Sequence, residues 1–111
     1  MRLTGSRRSK YGAVKTEVDG VLFDSKREAK HYQDLTWRQL IGEIGLLQLQ
    51  PVFPLSVNGV VIGKYVADFQ YVLTHNGEVI VEDVKGFDVP LGRWKRKHAE
   101  AQYGVVITLV K

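Results

Sequence analysis

Two stretches decide the fold, Tyr65-Val66-Ala67-Asp68-Phe69-Gln70-Tyr71 and Val79-Ile80-Val81-Glu82-Asp83-Val84-Lys85-Gly86. Both are rich in β-branched and aromatic residues, the composition of strands. The turn residues His75-Asn76-Gly77 stand between them, so they read as neighbouring antiparallel strands. Each also carries acid where a half-buried strand normally excludes it, because an unpaired carboxylate is costly in a medium of low dielectric. Side chains alternate along a strand, so Asp83 and Lys85 share one face roughly 7 Å apart while Glu82 and Val84 point to the other.

Working outward, the first of these strands is predicted to run from Val60 to Leu73. Leu46 to Leu55 alternates apolar Leu47 and Leu49 with Gln48 and Gln50, and makes a further strand that Pro51 confines to an edge or an end. These three strands form an antiparallel meander. Upstream, Asp24-Ser25 opens a helix that runs through Leu40 without Gly or Pro and stops at Gly42. Before it, Asp19-Gly20 between Val18 and Val21 signals a hairpin over residues 16 to 23. Downstream, Pro90 and Gly92 precede a second helix over Arg93 to Tyr103, Gly104 caps it, and Val105 to Val110 closes as an apolar strand typical of a buried position. The result is an α/β chain of order α-β-β-β-α-β, a mixed sheet flanked by helices and preceded by a short hairpin.

At 111 residues the chain supports one hydrophobic core. Residues 1 to 15 read as a basic flexible arm and residues 16 to 111 as a single domain. No apolar run reaches the roughly 20 residues that cross a bilayer, and the basic start lacks the apolar stretch of a secretory signal. Cysteine is absent, which excludes disulfides and thiolate metal sites and fits a cytoplasmic setting. The formal charge is +4, and it is unevenly spread. Arg2, Arg7, Arg8, Lys10 and Lys15 form one acid-free cluster, and Arg93, Lys95, Arg96 and Lys97 form another. Such runs are either solvated surface or the footprint of a polyanion.

Two carboxylates converging from paired strands, Asp68 and Asp83, make a hard-oxygen site suited to Mg²⁺. Lys85 beside them would orient a nucleophile or oppose developing negative charge. An acid-x-Lys pattern alone is a weak motif, read first as a surface cross-strand ion pair worth under about 1 kcal/mol. Glu28 has two readings as well. It stands in the S-x-x-E relation to Ser25 of a capping box, and it shares a helical stripe with Tyr32, Leu35 and Gln39 that faces inward. Gln50 could contact water or phosphate, or make a strand-end hydrogen bond. Glu82 would replace Asp83 at the site if a bulge reversed the register. On the second helix, Arg93, Arg96 and Lys97 are predicted on one face and Trp94, His98 and Ala101 on another that packs on the sheet, with His98 structural. Trp37 and Trp94 could stack on bases, but packing in the core or at a dimer interface is the expected reading.

Taken in order, a helical acid, a strand acid and D-x-K resemble the PD-(D/E)XK nuclease superfamily, whose core has the same α-β-β-β-α-β order. The words FDSKREAKHY, LQLQPVF, YVADF and VEDVKGF look like a phage and prophage family of uncharacterised small proteins within it, related to Holliday-junction-resolvase-like endonucleases. The resemblance runs from about residue 15 to the end. It implies that Glu28 is the helical acid, Asp68 and Asp83 the metal-binding acids and Lys85 the motif lysine. Ala67 stands where the superfamily's name places a proline. It further implies a Mg²⁺-dependent endodeoxyribonuclease, with Mn²⁺ as a substitute, acting on duplex or branched DNA in the cytoplasm of a bacterial host. Arg7, Arg8, Lys10, Lys15, Arg93, Lys95, Arg96 and Lys97 would then hold the DNA, and cutting both strands would call for a homodimer. The alternative is a non-catalytic DNA-binding module on the same fold.

Overall fold

A computed structural model describes residues 15–84 and 89–111. The chain divides into two compact units, Met1–Ile41 and Gly42–Lys111, where the sequence reading has one domain after the arm.

In the first unit, β1 (Thr16–Val18) and β2 (Val21–Phe23) pair antiparallel. Asp19 and Gly20 both take left-handed φ, 53° and 80°, the geometry that matches the twist of a two-residue hairpin. Helix α1 (Lys26–Leu40) begins as expected, with Ser25 Oγ accepting a 3.1 Å hydrogen bond from the Glu28 N–H. Its buried residues are Glu28, Ala29 and Leu35. Tyr32 packs on Phe23 of β2 with ring centroids 4.9 Å apart, which seats the helix on its own hairpin.

The second unit holds the mixed sheet, and here two predicted strands are each broken in two. Leu46 to Leu55 becomes β3 (Ile44–Leu49) and β4 (Val52–Val57), while Val60 to Leu73 becomes β5 (Val60–Val66) and β6 (Phe69–Leu73). The break has a local cause. Gln50 takes a left-handed φ of 51° and Pro51 has no N–H for the ladder, so the strand turns there. Ala67 and Asp68 break opposite them. Pairing carries across the bend through Gln50 N–H to Asp68 O at 3.0 Å and Ala67 N–H to Pro51 O at 3.1 Å. Beyond it, β4 and β5 form a separate antiparallel ribbon. Asn58-Gly59 closes that ribbon with φ of 50° and 80°, a hairpin signal of the same kind as Asp19-Gly20.

The main sheet has the order β3-β6-β7-β8, with β7 (Val79–Val84) antiparallel to β6 and β8 (Ile107–Val110) parallel to β7. Counting the two broken strands once each, the expected α-β-β-β-α-β order after a hairpin is the observed one, and the fold is mixed α/β. β8 is an edge strand rather than a fully buried one, with Ile107 buried and Leu109 and Val110 half-buried. Helix α2 (Pro90–Tyr103) starts three residues earlier than predicted, with Pro90 in its first turn, where a missing N–H costs nothing. It ends at Gly104, whose left-handed φ of 68° lets its N–H reach Glu100 O. The core joins Phe53, Leu55, Tyr65, Ala67, Val81, Ala99 and Ile107, so α2 covers the ribbon and the β7 face that carries Val81. Among the described residues no helix is long and apolar enough to cross a membrane.

Candidate functional site

The bend in the strands fixes Asp68. It lies between β5 and β6, where its backbone N–H donates to Glu82 O at 3.1 Å and its carboxylate Oδ2 accepts from the Val84 N–H at 2.7 Å. A residue in a regular strand would project from one face. At the break, Asp68 instead reaches the end of β7 beside Asp83, which is how irregular strand geometry re-aims a side chain.

Asp83 sits on β7 and is 2% exposed. The β6–β7 register runs without a bulge from Phe69↔Glu82 to Val72↔Val79, so Asp83 shares the face of Val81 and looks toward α2. There the Tyr65 hydroxyl donates to Asp83 Oδ2. Burial, then the hydrogen bond to Asp83 and the charge of Asp83, push the Tyr65 hydroxyl well above the usual tyrosine range. Asp68 adds to that shift and Arg96 opposes it. Tyr65 is therefore a fixed, protonated donor at neutral pH, with two acids and one guanidinium in its electrostatic field.

Arg96 differs from its expected place. It is 8% exposed on the inward face of α2 with Ala99, rather than on an outward strip with Arg93 and Lys97. The helix is rotated relative to the predicted faces, because the stripe that packs is 96/99 and not 94/98/101. Trp94 is 74% exposed and Ala101 is exposed. His98 does bond to the sheet, its ring Nε2 lying 3.1 Å from Ser56 O. Trp37 is exposed as well, so of the core and interface readings the core does not hold.

Glu82 points away from Asp83, on the face of Phe69. It is buried too, and Tyr71 donates its hydroxyl to Glu82 Oε2 at 2.7 Å. The two adjacent acids of β7 thus have separate tyrosine partners on opposite sheet faces. The β6–β7 pairing carries no bulge, so the two acids keep the faces that alternation assigns them.

The model of the family described as Protein of unknown function (DUF1064) matches residues 8–110. The chain belongs to the DUF1064 family. No curated protein and no solved structure matches it.

In this DUF1064 member, the remaining predicted residues fall in different places. Lys85, Arg7, Arg8 and Lys10 lie outside the described residues. Lys15 is exposed and pairs with Asp24 at 2.8 Å. Glu28 is buried on α1, in the first unit. Gln50 is exposed at the strand bend, where its backbone N–H rather than its side chain has the evident task. Arg93, Lys95 and Lys97 are exposed on α2. Among the described residues no group of three or more His, Cys, Asp or Glu is placed to hold a metal. Tyr65 and Tyr71 were missed by sequence reasoning. The available signal was a tyrosine three residues from Asp68 on either side, each in phase to be buried.

Proposed function

We propose that this chain is a metal-dependent nuclease that hydrolyses DNA phosphodiester bonds, with Asp68 and Asp83 as the metal-holding acids and Lys85 as the cation beside them. The observation that carries the reading is Asp68 beside Asp83 at the end of β7, each held by a donor, Val84 N–H and the Tyr65 hydroxyl respectively. Burying Asp83 and orienting Asp68 this way is expensive for a fold that needs only an apolar core, and useful to one that needs fixed oxygen ligands. A module that only binds DNA gains nothing from acids near phosphates.

The donor set fits Mg²⁺. That ion keeps several waters and is commonly held by one or two carboxylates together with substrate phosphate oxygens, so a pair of acids suffices where Zn²⁺ would call for three or four nitrogen or sulfur ligands. When bound, the metal supplies Lewis acidity and a more acidic water. The chain's own residues do the rest. Tyr65 fixes the orientation of Asp83, Arg96 offsets the negative charge of the cluster, and Lys85 stabilises charge that grows on the phosphate. Exposed Arg93, Lys95 and Lys97 supply phosphate contacts. Glu28 enters as the acid that the superfamily resemblance assigns to the helix.

The test is incubation of the full chain with supercoiled, linear, single-stranded and four-way-junction DNA, in Mg²⁺ or Mn²⁺ and in EDTA. Metal-dependent cleavage lost in Asp83→Asn supports the nuclease. Binding without cleavage under every condition establishes the non-catalytic module instead. A homodimer is part of the proposal, because cutting two strands needs two sites related by a two-fold axis. Light scattering should give twice the 12.6 kDa chain mass, and a strict monomer that only nicks removes the dimer while leaving the nuclease.

A further inference from the structure

The exposed side of α2 carries a feature that the acid site does not use. Trp94, Lys97, His98 and Ala101 follow i, i+3, i+4, i+7 spacing and form one stripe. With Gln102 and Ser56 of β4 they line a shallow, open groove of about 520 Å³. Its wall is fastened by three hydrogen bonds. Ser56 N–H donates to Gln102 Oε1 at 2.9 Å, Gln102 Nε2 donates to Ser56 Oγ at 3.0 Å, and His98 Nε2 donates to Ser56 O at 3.1 Å. These contacts pin α2 to the ribbon and leave the Trp94 indole, 74% exposed, standing at the groove.

We propose that this groove is a subsite for an unpaired nucleotide of single-stranded or branched DNA, its base stacked on Trp94 and its phosphate held by Lys97. The proposal rests on the nucleic-acid reading above and deepens it by naming the form of substrate. Charge complementarity selects the occupant. Lys97 lines the groove, Lys95 and Arg93 flank it on the same helix, and no acid lines it. An indole face set among cations offers what a nucleotide needs, a stacking plane and a phosphate contact, and stacking tolerates any base. In a duplex the base faces are already stacked on one another, so only an unpaired nucleotide can use the indole.

The experiment uses the full chain in EDTA, where binding is read without cleavage. Trp37→Phe leaves Trp94 as the sole tryptophan. Titration with a thymidine oligonucleotide should quench its emission, while a strand of abasic sites with the same length and charge should not. Trp94→Ala should weaken single-strand binding about 10- to 100-fold and change binding of a blunt duplex by less than about 2-fold, and Trp94→Phe should restore most of the loss. Equal quenching by the abasic strand, or equal effects of Trp94→Ala on both DNA forms, would overturn the subsite. So would unchanged binding, the outcome expected if the groove receives a protein segment. Because no metal or cleavage enters, failure here leaves the nuclease untouched, and failure of cleavage leaves the stacking result standing.

Discussion

Tyr65 on β5 donates its hydroxyl proton to Oδ2 of Asp83 on β7, joining two strands that share no hydrogen-bonded ladder. The strand bend at Ala67-Asp68 makes this possible, because it carries the β4–β5 ribbon out of the main sheet and swings Tyr65 over the face of β7. One deformation therefore aims Asp68 and supplies the donor that orients Asp83.

Tyr65→Phe takes a donor from buried Asp83 at a cost of about 1–3 kcal/mol but should keep the fold, since the ring still packs on Phe53 with centroids 6.2 Å apart. Its effect should fall on the metal. Loss of a group that orients a ligand typically weakens metal affinity by about 10- to 100-fold. Mn²⁺ titration followed by calorimetry checks this, with circular dichroism as the folding control. Unchanged Mn²⁺ affinity would leave Tyr65 a core residue only.

Asp68→Asn and Asp83→Asn should each abolish metal-dependent cleavage by removing a charged ligand without changing side-chain shape. Lys85→Ala should lower kcat far more than DNA affinity, because its contact strengthens as charge develops. Gel assays and fluorescence anisotropy on the same preparations separate the two effects. Equal losses in binding and rate for Lys85→Ala would make it an ordinary phosphate contact.

Tyr71→Phe addresses the other face. Glu82 is buried and accepts the Tyr71 hydroxyl, so removing that donor should cost stability, about 1–3 kcal/mol by urea denaturation. Metal affinity should stay within about 2-fold of wild type, because Glu82 faces away from Asp83. A large loss of metal binding at unchanged stability would put Glu82 in the site after all.

The acids were legible because charge inside a β-branched strand contradicts local composition, and period-2 alternation assigned Asp83 and Glu82 to opposite faces. The hairpin turn at Asp19-Gly20 and the caps at Ser25 and Gly104 were legible from local chemistry. The strand break was half-visible. Pro51 marked it on one strand, but nothing in Val60–Leu73 shows that Ala67-Asp68 must bend to match, since that follows from pairing. Asn58-Gly59 did carry the hairpin signal that separates β4 from β5. The faces of α2 differ from the sequence reading because its inward stripe is Arg96 and Ala99, and hydropathy does not put an arginine on a packed face.

The final prediction separates the cations by burial. Arg96 is buried and lies in the field of the Tyr65–Asp83 cluster, so Arg96→Ala should destabilise the fold by on the order of 2 kcal/mol. Lys95 and Lys97 are exposed, and their alanine variants should stay within about 0.5 kcal/mol of wild type in stability. On DNA the order reverses. Each phosphate contact contributes about 0.9 to the slope of log affinity against log salt, so the double variant Lys95→Ala/Lys97→Ala should flatten the slope by up to about 2. Removing residues 1 to 13 deletes Arg2, Arg7, Arg8 and Lys10 and should flatten it by up to about 4. Duplex binding measured by anisotropy between low and moderate salt gives both slopes. If the lysine pair leaves the slope unchanged while the deletion does not, α2 faces away from the DNA backbone and the chain's first residues alone supply the electrostatic grip.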